Sequence, residues 1–494
     1  MQLKTRKVGI VVAFLMLLAG YGTQAQEAST DTLMKHIQTL TSAQYEGRLA
    51  GTDAFNGAAE YVVSTLAGYG VEPYQGEWYQ YFNVPCNQIE SCTFYTYSRK
   101  DRNKKRFILG NDFACAGMTG RGYANAPAVF CGYGIDHESF NEYSAADVNG
   151  RVVVVLSGVP NFLDASITKN YASILDKANV AYQHGALALV VINLSATCRS
   201  NEVQARIYNG NKPYLAKFPI IQTTKDCGAT IMNNERMNLD SCINLLNSKY
   251  RPVSYLMEQS LEIDLNTRYN AKAITENVVG ILKGSDKALS RELVVVGAHL
   301  DHVGMQGKTC MFPGADDNAS GVAAVLETAR MLSEVDELDK PKRSVLFVLF
   351  SGAEMQHLGS EVFVSNIQPL NRLEAFINAE CLGSGDSIAV LGNQQFPLIY
   401  SLVDSLDQKY TKSMVHGFET PARGDATAFA QIGIPSLVFS TLNGNKYVHV
   451  PSDIAEAIDY NLLTKSTTLM FQTVYELTWG DYQGRSKRSR AYRF

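Results

Sequence analysis

From Leu293 to Phe439 short apolar runs alternate with helical segments. The runs are Leu293–Val296, Val345–Phe350, Phe376–Asn378, Ile388–Leu391 and Ser436–Phe439, and SGVAAVLETARMLSEV from Ser320 is one of the helical segments between them. Strand–helix repetition of this kind predicts an α/β fold with a mostly parallel sheet and helices on both faces. In such sheets ligands gather beyond the carboxyl ends of the strands. That is where the chemistry-bearing residues of this chain fall. VVVGAHLDHVG carries His299, GADDNASG carries Asp317, LFVLFSGAE ends on Glu354 and AFINAECLG carries Glu380, with His449 following in YVHVPSD. The glycines of PGADDNASG permit the tight turn that presents Asp317.

Two imidazoles and three carboxylates form a donor set that suits zinc, which takes His nitrogen and carboxylate oxygen readily. A single tetrahedral zinc does not use five protein ligands, whereas two zinc ions sharing a carboxylate do. Any one of these residues alone would have an ordinary structural explanation. A lone histidine is usually a hydrogen-bonded packing residue, and a carboxylate at a strand end usually caps a helix.

The order His-x-Asp, Asp-Asp-Asn, Glu, Asp/Glu, His resembles family twenty-eight of the metallopeptidases. That family includes co-catalytic zinc aminopeptidases, glutamate carboxypeptidase, the glutaminyl cyclases and the non-catalytic transferrin receptor. The resemblance implies that Asp317 bridges two zinc ions. It gives His299 and Glu354 to one ion and puts Glu380 and His449 in the outer positions, leaving open which ligand shares which ion. Asp301 would orient the ring of His299. EGRLAGTDAFNG resembles the GR-x-x-GT turn near the start of the same family.

One position departs. Active members carry two consecutive glutamates after the strand, the first a general base and the second a ligand. Here FSGAEMQHLGS places Ala353 at the base and Glu354 at the ligand. Alanine has no titratable group, and loss of a general acid–base costs roughly 10²–10⁴ in rate. His357 and Glu361 lie beyond the turn and are not expected to take over. His302, His357 and His416 are assigned to structure or the pocket rim, and Tyr447 is a candidate oxyanion stabiliser. Asp425 in GDATAF resembles a family position near the active site.

Residues 1–25 read as a signal peptide: Lys4, Arg6 and Lys7 precede an apolar stretch too short to span a bilayer, and Thr23-Gln24-Ala25 follows as a cleavage pattern. Secretion or periplasmic export, with cleavage near Ala25, is the expectation. With 44 basic and 48 acidic residues in 494, the chain carries no charge excess that would attract nucleic acid. No later run is long and apolar enough for membrane insertion. In an exported chain some of the nine cysteines are expected to pair, Cys86 with Cys92 for instance.

The domain reading is an N-terminal part of the catalytic domain at 26–109, an insert at 110–270, the zinc peptidase domain at 271–482 and a basic tail at 483–494. PAVFCGYG, NGRVVVVL and ALALVVIN make the insert resemble a protease-associated domain, which implies a lid or substrate-shaping role. His137 and His184 within it are read as structural. The expected function is an exported di-zinc exopeptidase, an aminopeptidase acting on peptide substrates. The alternative, carried by Ala353, is a pseudopeptidase that binds peptides or a protein partner.

Overall fold

The computed structural model describes residues 26–98, 104–194, 207, 213–233, 235–417, 419–444 and 448–479. The signal-peptide stretch 1–25, the basic tail and Tyr447 lie outside the described residues.

The strands that organise the chain are, in order, β1 (Tyr79–Ser98), β2 (Phe113–Cys115), β3 (Gly122–Cys131), β4 (Val152–Leu156), β5 (Ala188–Ile192), β6 (Ile220–Thr223) and β7 (Ser254–Leu282), followed by β8 (Leu293–His299), β9 (Ser344–Phe350), β10 (Leu373–Ala379), β11 (Ser387–Leu391) and β12 (Ser436–Leu442). They form one sheet in the order β11-β12-β10-β8-β9-β7-β3-β4-β5-β6-β2. In its catalytic half β8 pairs in parallel with β9 and β10, and β10 with β12. β7 and β11 close this half as antiparallel neighbours. Every residue of β8, β9 and β10 is buried, as expected of parallel strands covered on both faces.

Helices cover both faces. On one side α1 (Thr30–Leu40), α2 (Asp53–Gly68), α4 (Gly321–Ser333) and α8 (Tyr460–Thr478) pack their apolar stripes into the largest core cluster. On the other, α5 (Leu358–Asn366) and α7 (Ala426–Gln431) bury Phe363 and Phe429 against Phe350 and Phe376. The expected α/β class, with helices on both faces of a mostly parallel sheet, is the observed one.

The expected insert is a second β-rich body with its own core, built on β3 to β6 and on α3 (Ile174–Gln183). No loop separates it from the catalytic half at the place the sequence suggests. β7 runs unbroken through residue 270, pairing with β3 at one end and β9 at the other, and with β1 along most of its length. The two lone histidines of the insert are both hydrogen-bonded: His184 Nε2 lies 2.7 Å from Asp136 and His137 Nδ1 lies 2.8 Å from Ser139. The suggested Cys86–Cys92 pair is corrected, since the eight described cysteines are all free. Both residues lie on β1, and six residues of extended strand separate their Cα atoms by ~20 Å, against the ~4.4–6.8 Å a disulfide spans.

Candidate metal centre

The carboxyl ends of β8, β9 and β10 open onto one small, buried volume. β8 ends on His299, the turn after β9 carries Glu354 and the residue after β10 is Glu380. Asp317 enters from the loop before α4, and His449 from the loop after β12.

Asp317 stands at the middle. Its Oδ1 is 3.4 Å from His299 Nε2, and its Oδ2 is 3.3 Å from His449 Nε2 and 3.7 Å from His302 Nδ1. Glu354 closes the second side, 2.7 Å from His449 Nε2 and 3.3 Å from His302 Nδ1. The two oxygens of one carboxylate therefore face two separate histidine groups, as a bridging ligand must. Donor atoms of His302, Asp317, Glu354 and His449 all lie within 4.8 Å of one another. His299 and Glu380 stand outside that group of four; burial raises the Glu380 pKa, and the charge of His299 opposes the rise. Asn378 donates to Glu380 Oε2 at 3.2 Å.

Two expectations change. The grouping of His299 with Glu354 gives way to Glu354 with His449, because Asp317 separates the sides. His302, assigned from sequence to structure or rim, is fully buried inside the cluster. Neither of its ring nitrogens makes a hydrogen bond, an anomaly for a buried imidazole that a bound cation would relieve. The signal was present in HLDHVG, where His302 follows His299 by three residues on the same strand-end turn.

Asp301 also does more than the sequence suggests. Its backbone oxygen lies 3.1 Å from His299 Nδ1, while its carboxylate accepts from the backbone N–H groups of Ala353 at 3.1 Å and Glu354 at 3.3 Å. It thus ties the His299 turn to the Glu354 turn. Burial pushes its pKa up to about 7, partly offset by the His299 charge. Burial also pushes Asp316 up to about 6. Burial opposes the charged form of Asp317 too, but the three histidines around it outweigh that and hold its pKa below the usual carboxylate range.

The loops themselves are pinned by groups that sequence reading missed. Arg48, from the EGRLAGT turn, is fully buried and donates to the carbonyls of Leu300, Leu40, Pro313 and Gly314 at 2.7–2.9 Å. Asp453 accepts from the N–H groups of Asp316 at 2.7 Å and Asp317 at 3.1 Å. The Asn318 side chain bonds Ala379 O at 2.9 Å and Cys381 N at 3.0 Å, joining the Asp317 loop to the end of β10. Ala353 is buried beside Glu354 and carries no proton-accepting group. His416 is remote and half-exposed, 3.4 Å from Asp404.

Against known families, residues 277–474 match peptidase family M28. The M28 segment contains every residue of the cluster except Arg48. A probable leucine aminopeptidase of Arthroderma otae is 26% identical over 199 residues, 39% of this chain and 56% of that protein. A probable lipoprotein aminopeptidase, LpqL, of Mycobacterium tuberculosis is 26% identical over 393 residues, 75% of this chain and 63% of that protein. The chain spans little more than half the length of the first curated relatives it matches. Among solved structures, BSAP, a zinc aminopeptidase from Bacillus subtilis, superimposes with a TM-score of 0.66 at 20% identity, over 92% of this chain and 96% of that one. The fold of that structure thus extends over nearly the whole chain.

Proposed function

We propose that the protein is an exported di-zinc exopeptidase, an aminopeptidase that removes terminal residues from peptides. The observation that carries this reading is the convergence of His299, His302, Glu354 and His449 around the carboxylate of Asp317. Asp317 would bridge, with Glu354, His449 and His302 on one side and His299 and Glu380 on the other. The donor set fits zinc, and the unbonded His302 nitrogens fit a cation rather than an apolar packing role. Zinc held there supplies Lewis acidity toward a carbonyl oxygen and toward water. The names of the relatives, leucine aminopeptidase and zinc aminopeptidase, support the amino-terminal choice.

The chain's own groups supply position. Asp301, Arg48 and Asp453 fix three loops whose side chains must meet within a few ångströms, and burial keeps bulk water away from them. A cavity of about 430 Å³ opens directly beside Glu380, lined by Ala389, Leu391, Thr420, Arg423 and Val438, and can take the terminal side chain. Export through residues 1–25 and a substrate-shaping role for the protease-associated-like insert belong to the same proposal. So does a mature amino terminus near Gln26.

Metal analysis of the purified protein, beside a panel of aminoacyl anilides with and without chelator, tests the reading. About two zinc ions per chain and chelator-sensitive hydrolysis are expected; a metal-free, inactive protein would refute it. Ala353 supports a second reading, a pseudopeptidase that binds peptides without cleaving them. Inert wild type with an active Ala353→Glu variant would establish that one instead.

A further inference from the structure

The turn after Glu354 is strained in a way its sequence does not require. Gln356 and His357 both adopt left-handed backbone conformations, with φ of 65° and 60°. Each such non-glycine residue costs about 1–2 kcal/mol, which the surrounding structure has to hold in place. The result is that the His357 N–H bonds back to Ala353 O at 3.0 Å.

Asp425 faces the His357 ring. Its carboxylate is 1% exposed and has no hydrogen bond of ordinary length among the described residues, although the Ser360 hydroxyl also faces it. His357 Nδ1 stands 3.7 Å from its Oδ1. A buried carboxylate aimed at one ring nitrogen fixes the tautomer and leaves the other nitrogen to accept a proton. His357 Nε2 has no hydrogen-bond partner among the described residues, and the side chain is 39% exposed. Gly424, the residue before Asp425, lies directly against Glu380 Oε2, so the Asp425–His357 pair stands beside the Glu380 side of the centre.

We propose that His357, positioned by Asp425, performs the proton transfer that Ala353 cannot. This rests on the peptidase reading above. As the water oxygen bonds to the scissile carbonyl carbon, the carbonyl π pair moves onto oxygen and Nε2 takes one water proton. As that pair returns and the C–N bond breaks, Nε2 gives the same proton to the departing nitrogen. Peptide plus water becomes a carboxylic acid and an amine, the acid's remaining proton then passes through solvent to the amine to give carboxylate and ammonium, and histidine is unchanged overall. His357 is the catalytic residue in this scheme and Asp425 a positioning residue.

The test begins with zinc-loaded wild type on an aminoacyl anilide. Turnover in wild type, with kcat lowered roughly 10²–10⁴-fold in His357→Gln at unchanged zinc content and KM, is the expected result. Added imidazole should restore part of the rate in His357→Gly. Adding Ala353→Glu to His357→Gln should restore it without imidazole. Asp425→Asn should displace the pH profile of kcat as well as lower it. Independently of turnover, calorimetry should show weaker binding of an aminoalkyl phosphonate to His357→Gln and unchanged binding of free leucine. Active wild type with a fully active His357→Gln overturns the proposal and leaves the peptidase reading intact. Zinc-loaded wild type that is inert overturns both, before any variant is made.

Discussion

Arg48→Met is the substitution whose cost follows most directly from the structure. The guanidinium is fully buried and donates four hydrogen bonds to carbonyl oxygens on three separate segments. At about 1.5 kcal/mol for a hydrogen bond from a charged donor, they contribute roughly 6 kcal/mol. Against this stands the cost of burying the cation. Burial lowers its pKa to about 10 from an ordinary 12.5, equivalent to roughly 3 kcal/mol, and the carboxylates of Asp453, Asp317, Asp301 and Glu354 keep it from falling further. The net loss expected for Arg48→Met is therefore about 3 kcal/mol. At roughly 2–4 °C per kcal/mol, Tm of the catalytic half should fall by about 6–12 °C. Because Leu300 and Gly314 flank the His299 and Asp317 loops, retained zinc after dialysis should fall as well. Thermal unfolding followed by circular dichroism, with metal analysis on the same samples, reads both. A Tm within about 1 °C of wild type and full zinc content would refute the assignment of Arg48 as the tie between the loops.

Other outcomes follow from the same geometry. His36 is buried on α1 with Nδ1 2.6 Å from the Tyr61 hydroxyl, and burial, aided by Lys35, lowers its pKa from 6.5 to about 4. The folded state resists protonation there, so stability present above pH 6.5 should be lost as pH falls through 4, by up to roughly 3 kcal/mol. Urea midpoints from pH 7 to 4 should show that decline, and His36→Gln should flatten it. A Cβ at Gly424 would fall 2.4 Å from Glu380 Oε2, on a backbone with φ of 61°. Gly424→Ala should therefore displace Glu380 and lower bound zinc from two toward one while leaving the far-UV spectrum unchanged. His449→Gln should remove the zinc beside Glu354 and His299→Gln the one on the opposite side, whereas Asp317→Asn should weaken both; equal loss from all three variants would contradict a bridging Asp317.

Much of the fold was legible because parallel strands buried on both faces read as continuous apolar runs. VLFVLF and LVVVGAH sit where the alternation predicts them. Four of the five ligand candidates were legible for the same reason, since each falls just after such a run or at the mouth of the following helix. His302 was not, because a histidine three residues after another in an irregular turn has no periodicity to show which way it points. Arg48 and Asp453 were missed because their partners are backbone groups remote in sequence. No side-chain pattern advertises a carbonyl 252 residues away, such as Leu300 from Arg48. The insert boundary fell inside β7 because a strand of 29 residues serves two bodies at once, and composition does not change where one core gives way to the other. The disposition of His357 depends on two left-handed residues in succession, which a sequence containing neither Gly nor Asn there does not announce.

Anomalous diffraction at the zinc edge, from crystals grown without added metal, tests the central claim most directly. Two peaks are expected, one on each side of the Asp317 carboxylate, roughly 3.5–4 Å apart, the first against Glu354 and His449 and the second against His299 and Glu380. An empty cluster, with His302 and His449 bonded to protein groups alone, would contradict it.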